Sequence, residues 1–281
     1  MLVNLQTILS DTRAEKYAVG SFNVYSYETI KGVFESMEEL QRPAIVAFGE
    51  KYLENMDFEI VADIVKHFGS KTPLPVVLHL DHCKDQKNIY KAAKAGFTSV
   101  MYDGSAYSYE KNIKNTREVT QFAHACDISV EAELGSLAAG MKSHEGEQSD
   151  REIYTDPNQA ADFVAQTQVD ALAVSIGTVH GLYKGIPKIR VDILKEIKEK
   201  VSIPLVLHGG SGTPEDIIRD CIANGICKIN VNTEIAEFAV QEMKEILNSN
   251  THYHLSTLSL KEIGYVKQVV MKYARFFGEG K

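Results

Sequence analysis

Three histidines, His82, His180 and His208, stand at the ends of separate apolar runs. Three neutral imidazoles with a fourth position left open make a catalytic zinc site. Asp81 immediately precedes the first of them, where a carboxylate can act as a general base or, alternatively, orient His82 from behind. Asp103, Glu133 and Asn23 close other runs in the same way. Each residue alone has a plain alternative, a histidine bonding only its own loop or an aspartate capping a helix. HGGSG at 208–212 lies between an apolar run and a helix opened by TPED. Glycines let a ligand approach backbone amides and a helix N-terminus favours an anion, so Gly209, Gly210 and Ser211 read as a phosphate cradle. An ordinary turn capped by Thr213 is the competing explanation. KINVNT at 228–233 brings Asn230, Val231, Asn232 and Thr233 to the end of the next run, with further amide and hydroxyl donors.

Eight short, β-branched apolar runs carry these residues: 18–24, 43–48, 74–80, 99–103, 128–134, 171–176, 203–209 and 226–231. Segments of helical period separate them at nearly constant spacing. The runs are almost wholly apolar instead of alternating, as expected of parallel strands covered on both faces. The pattern predicts an α/β fold, a (β/α)8 TIM barrel with an N-terminal helix and a C-terminal helical extension, as one domain over 1–281; a doubly wound open sheet is the alternative. No GxGxxG or GxxxxGK[ST] follows the first run, which weakens the nucleotide-binding form of the open sheet. In a barrel, polar residues at strand C-termini share one catalytic mouth. Neighbouring strand residues point to opposite faces, so Asp81 and His82 are expected to diverge. Residues 138–152 are polar and follow the fifth run, the signature of a mobile active-site loop. Residues 248–260 are expected to separate the eighth helix from a C-terminal helix around 261–277.

The chain has 281 residues, 44% of them hydrophobic, and a net charge of −8. That supports a sizeable core, excludes disorder, and argues against nucleic acid or an anionic membrane as partner. A small anionic metabolite remains compatible, because a pocket can be locally positive in an acidic protein. Four irregularly spaced cysteines without CxxC suit reduced thiols. The first residues read as an amphipathic helix, not a signal peptide, and no run approaches the length of a membrane span; a soluble cytoplasmic protein is expected.

HLDHC (79–83), SVEAELG (129–135), GTVHG (177–181), LHGGSG (207–212) and KINVNT (228–233) together resemble the class II, zinc-dependent fructose-bisphosphate/tagatose-bisphosphate aldolase family. The likeness runs from YAVGSFNV near the start to about residue 245. It implies that His82, His180 and His208 bind catalytic zinc and that Asp81 moves the proton. It assigns Asp103 and Glu133 to a second divalent ion. Gly181, Gly209 to Ser211 and Asn230 to Thr233 would hold the dihydroxyacetone-phosphate half, with a monovalent cation near Gly181 and Lys184. A homodimer or homotetramer acting on a phosphorylated ketose is the corresponding expectation. Zinc as a Lewis acid would polarise the ketose carbonyl, and Asp81 would take the hydroxyl proton from the carbon that becomes the aldehyde. No strand-end lysine suggests a Schiff base; Lys228 lies inside a matched binding motif.

Three features depart from the family pattern. Met141 falls where the family's loop acid stands, leaving Glu145 or Glu147 as the substitute. Gly49 follows the second run where many members have Ser or Thr. The segment before the C-terminal helix, 252–262, contains no Arg for a far phosphate. These departures leave open a ketose whose far end is sulfonated, deoxy or a keto-acid, and also a non-catalytic sugar-phosphate-binding subunit.

Overall fold

The computed structural model describes residues 1–143, 152–183, 185, 187–249 and 252–279. All eight apolar runs form strands: β1 (Val19–Asn23), β2 (Ala44–Gly49), β3 (Val76–Cys83), β4 (Ser99–Tyr102), β5 (Ser129–Leu134), β7 (Ala171–Val174), β9 (Leu205–Leu207) and β10 (Ile226–Val231). Two further strands, β6 (Ala138–Ala139) and β8 (Val179–His180), pair with each other in parallel outside the barrel. β1 pairs in parallel with β2 on one side and β10 on the other, Ser21 facing both Ile45 and Asn230. That double pairing closes the barrel in the order β1-β10-β9-β7-β5-β4-β3-β2 and rules out the open sheet.

The helices are α1 (Leu5–Ile8), α2 (Thr12–Glu15), α3 (Tyr27–Leu40), α4 (Phe58–Gly69), α5 (Gln86–Ala95), α6 (Tyr109–Ala125), α7 (Pro157–Thr167), α8 (Val191–Lys200), α9 (Glu215–Ala223), α10 (Thr233–Ser249) and α11 (Leu255–Phe277). The caps follow the sequence. Ser26 and Thr29 make a reciprocal capping box before α3, and Asp156 accepts from the amides of Asn158 and Gln159 ahead of Pro157. Among the described residues no helix is long and apolar enough to cross a membrane.

Two apolar cores divide the work. The larger fills the layer between strands and helices, where Phe34, Phe48, Phe58, Phe97 and Phe163 are buried. The smaller seals the barrel from its N-terminal end: Leu5, Ile8 and Leu9 pack against Ile45, Val77, Ala173 and Val206. This plug corrects the expected single N-terminal helix. The segment breaks into α1 and α2 after Leu9, because the chain must drop three apolar side chains into the barrel and then turn to enter β1. At the other end α11 begins at Leu255, not near 261; His254 Nδ1 accepts from the Ser256 amide and starts the helix early. α11 lies close on α3, where a Cβ on Gly32 would stand 2.7 Å from Val266. Leu9→Ala empties part of the plug and should cost about 2–5 kcal/mol in urea unfolding, while metal binding at the opposite end is retained.

Candidate metal centre and active site

At the C-terminal mouth, His82, His180 and His208 place ring nitrogens within 4.8 Å of one another. The ring centroids of His82 lie 4.9 Å from His180 and 4.6 Å from His208. The expected divergence of Asp81 and His82 does not occur. β3 is irregular between Leu80 and Cys83, and His82 adopts φ +45°, so the strand's alternation breaks where it matters. Asp81 stays on the interior face while His82 is turned to the mouth beside it.

His180 is delivered by the short β6–β8 pair. Gly140 N–H donates to the His180 carbonyl at 2.7 Å, and Met141 and Leu182 exchange backbone bonds. Residues 138–143 of the expected mobile loop are thus tied to the ligand segment, and Ser136 rejoins Ile153 at its far side. Glu145, Glu147 and Lys184 lie outside the described residues. Gly209 packs beneath, with φ +71° and no room for a side chain: a Cβ would stand 2.2 Å from the Val179 carbonyl oxygen.

Carboxylates surround the triad. His82 Nδ1 is 3.2 Å from Asp103 and 3.9 Å from Glu133, while His208 Nδ1 is 3.4 Å from Glu133. His208 Nε2 donates to Glu131 Oε1 at 2.9 Å. Asp81 is fully buried and receives one side-chain amide on each oxygen, Asn23 at 2.8 Å and Asn230 at 3.2 Å. Burial disfavours its charge, but His82, Lys228 and His208 outweigh that and hold it ionised well below the usual carboxylate range. Burial also opposes a charged His82; the carboxylates of Asp81, Asp103 and Glu133 reverse this and push it up to about 10. His180 goes the other way, depressed by burial and then by the two neighbouring histidines. The pocket is a field for positive charge with one imidazole already neutral.

That field fits a metal ion. Among the described residues His82 Nε2, His180 Nε2 and His208 Nδ1 are buried and make no hydrogen bond, so three ring nitrogens converge where a cation can take the place of the proton that the carboxylates favour on His82. His82, Asp103 and Glu133 form a second group with donor atoms within 4.8 Å.

The remaining sequence-derived residues divide. Gly181 (φ +100°) has its Cβ position blocked by the Met141 carbonyl, which fixes the turn after His180. The Gly210 amide is occupied by the Asn230 carbonyl at 3.0 Å, which joins the two expected phosphate segments. Ser211 Oγ accepts from the Glu234 amide and so caps α10, whose first residue is Thr233. Asn230 is engaged at both ends, its oxygen by Lys228 at 2.7 Å and its amide by Asp81. Val231 is buried in the outer core, in register with Phe22 of β1. Asn232 donates to the Tyr52 hydroxyl at 2.9 Å. Sequence reasoning missed His79, Glu131 and Tyr52, and passed over Lys228. His79, Glu131 and Lys228 are fully buried inside the barrel. The signal was present as HLD, EAE and KIN, polar residues two apart in apolar strands, both turned inward.

The family model for class-II fructose-bisphosphate aldolase matches residues 3–281. The chain belongs to that family. This aldolase is 35% identical over 278 residues to the sulfofructosephosphate aldolase of Alkalicoccus urumqiensis, across 98% of this chain and 96% of that one. The crystal structure of the YdjI aldolase from Escherichia coli K12 superposes with a TM-score of 0.88 at 35% identity, covering 100% and 98% of the two chains. A putative fructose-1,6-bisphosphate aldolase from Coccidioides immitis gives 0.90 at 27% identity, covering 99% and 98%. The enzyme is therefore a class II aldolase, a carbon–carbon lyase of a family that acts on phosphorylated sugars and uses a divalent metal. Gly209→Ala should push the Val179–His180 strand away and lower divalent-metal affinity at least about tenfold in chelator competition, with little change in far-ultraviolet circular dichroism.

Proposed function

We propose that this aldolase is zinc-dependent and reversibly cleaves a ketose 1-phosphate or 1,6-bisphosphate to dihydroxyacetone phosphate and an aldehyde. The observation that carries the reading is the convergence of three unpartnered histidine nitrogens beside a buried, ionised Asp81. His82, His180 and His208 would hold the zinc, which supplies Lewis-acid polarisation of the ketose carbonyl when bound. Asp103 and Glu133 are the donors for a second divalent ion, and family likeness puts a monovalent cation near Gly181 and Lys184.

Asp81 performs the proton transfer. Its two amide donors fix both oxygens and leave lone pairs toward the mouth, so it accepts the proton from the hydroxyl on the carbon that becomes the aldehyde. As that oxygen forms the carbonyl double bond, the adjacent carbon–carbon bond breaks. Its electron pair stays on the dihydroxyacetone-phosphate half. Glu145 is the loop acid assigned to return a proton there. Asn23, whose side-chain oxygen is buried without a partner, faces the same space. The phosphate of this half is assigned to the segments Gly209 to Ser211 and Asn230 to Thr233, where the α10 N-terminus favours an anion; the Gly210 amide itself serves to tie the two segments together.

The aldehyde end is poorer in positive charge. A Cβ on Gly49 would meet the Tyr52 ring at 3.2 Å, so this wall is aromatic where the family pattern has a hydroxyl. Lys267 is committed to Glu39 at 2.8 Å and Lys272 to Glu234 at 2.7 Å. Likeness to the sulfofructosephosphate aldolase favours a second form of the reading, a far end carrying a sulfonate instead of a dianionic phosphate. The same reading takes the enzyme to be a cytoplasmic homodimer or homotetramer of single-domain chains.

Chelation should abolish cleavage, and added zinc should restore it; full turnover in protein shown to be metal-free would refute the zinc assignment. Asp81→Ala should keep zinc and lose roughly 10²–10⁴ in turnover, the ordinary weight of acid–base catalysis. Loss of one charge-assisted contact, about 1.5–3 kcal/mol, weakens binding roughly 10- to 150-fold. Fructose 1,6-bisphosphate is accordingly expected to show no large advantage in kcat/KM over fructose 1-phosphate or the sulfonated analogue. A 100-fold preference for the bisphosphate would mean that another basic group serves the far end.

A further inference from the structure

Below the metal centre the barrel encloses a lysine and a glutamate, Lys228 and Glu131, both with no exposed surface. Lys228 Nζ lies 3.0 Å from Glu131 Oε2 and donates to Asn230 Oδ1 at 2.7 Å. Asn230 Nδ2 then donates to Asp81, and Glu131 accepts from His208 Nε2 at 2.9 Å. One ammonium thus stands between the proton-handling carboxylate and a metal-ligating histidine. Burying such a pair gains little stability over packed apolar side chains, so its presence calls for another explanation.

We propose that Lys228 is a positioning residue that sets the orientation of both. This rests on the roles given above to Asp81 and His208. An asparagine amide is nearly symmetric in shape, and what chooses its orientation is the donor and acceptor character of its neighbours. An ammonium only donates, so Lys228 selects the oxygen end of Asn230. The NH2 end must then face Asp81, which as a carboxylate only accepts. Reversed, Asn230 would set its oxygen against Asp81 and its NH2 against the ammonium. On the other branch, Lys228 holds the Glu131 carboxylate where it accepts a hydrogen bond from His208 Nε2–H. That fixes the tautomer and leaves Nδ1, 3.4 Å from Glu133, as the nitrogen without a proton on the side of the metal centre. His79 completes the enclosure: its Nδ1 meets Ser99 at 2.8 Å, and its Nε2 lies 3.9 Å from Asp81 and 3.7 Å from Glu131.

The test is a double-mutant cycle between Lys228→Met and Asn230→Ala, read as kcat for fructose 1-phosphate and fructose 1,6-bisphosphate at saturating zinc. Each single change should lower kcat roughly 10- to 100-fold. Because Lys228 reaches Asp81 through Asn230, the double variant should be no slower than Asn230→Ala by more than about threefold. Losses that multiply would overturn the proposal. Zinc affinity from chelator competition reports the second branch: Lys228→Met should weaken it about tenfold or more, and Asn230→Ala should not. Unchanged affinity in Lys228→Met would overturn the His208 half. If Lys228→Met unfolds with Glu131 left unpaired, the Lys228→Met, Glu131→Gln variant removes both charges and enters the same cycle. Wild-type zinc binding and the Asp81→Ala rate are measured alongside. If either departs from expectation the reading of the site fails; if both hold and losses multiply, only the role of Lys228 fails.

Discussion

β1 shares its hydrogen bonds with β2 on one flank and with β10 on the other, and this closure brings Asn23 and Asn230 to the one carboxylate of Asp81. Asn23 comes from the first strand of the chain and Asn230 from the last barrel strand, and each donates to a different oxygen of Asp81. In an open sheet β1 and β10 would not meet in this way. The proton-handling group is therefore a product of closure, and so is the histidine cluster beside it, drawn from β3, β8 and the end of β9.

Charge inside the barrel is tolerable only because it is balanced. Glu131, Lys228, Asp81 and His79 are removed from water, and each would be costly alone. Glu131 is held down to about 2, against its burial, chiefly by Lys228 and by the His208 hydrogen bond. His79, with burial and Lys228 both against its charged form, drops to about 4 and serves as a neutral spacer. The surplus of carboxylate at the mouth then falls on His82, and the same field that raises its basicity favours a divalent cation.

Stability and chemistry occupy opposite ends of the molecule. The N-terminal plug and the helix-facing core are mostly apolar, and their buried tyrosines, such as Tyr17 and Tyr102, find polar partners in Asp11 and Asn115. The mouth is built instead around special backbone geometry, a strained His82 at φ +45° and a Gly209 at φ +71° that only glycine adopts without cost. Such conformations persist where surrounding structure enforces them, here the bulge in β3 and the Val179–His180 strand packed on Gly209.

The order of apolar runs and helical segments was enough to determine the eight barrel strands, because parallel strands buried on both faces must be continuously apolar. The polar residues at their ends were legible for the same reason: His82, His208, Asp81, Asp103 and Glu133 stand where a largely apolar run stops, whereas His180 lies beyond its run, on β8 outside the barrel. Tertiary structure decided the rest. Strand alternation predicted that Asp81 and His82 would part, and a bulge invisible to periodicity brought them together. Residues 138–143 read as a free loop, since two alanines give no sign of the strand that pairs with them. Closure also placed Asn230 between Lys228 and Asp81, a contact that no local pattern shows. Local pattern specifies which face a side chain takes, but which side chains meet across a closed barrel depends on register between strands far apart in the chain, as with Asp81 and Asn230, separated by 149 residues.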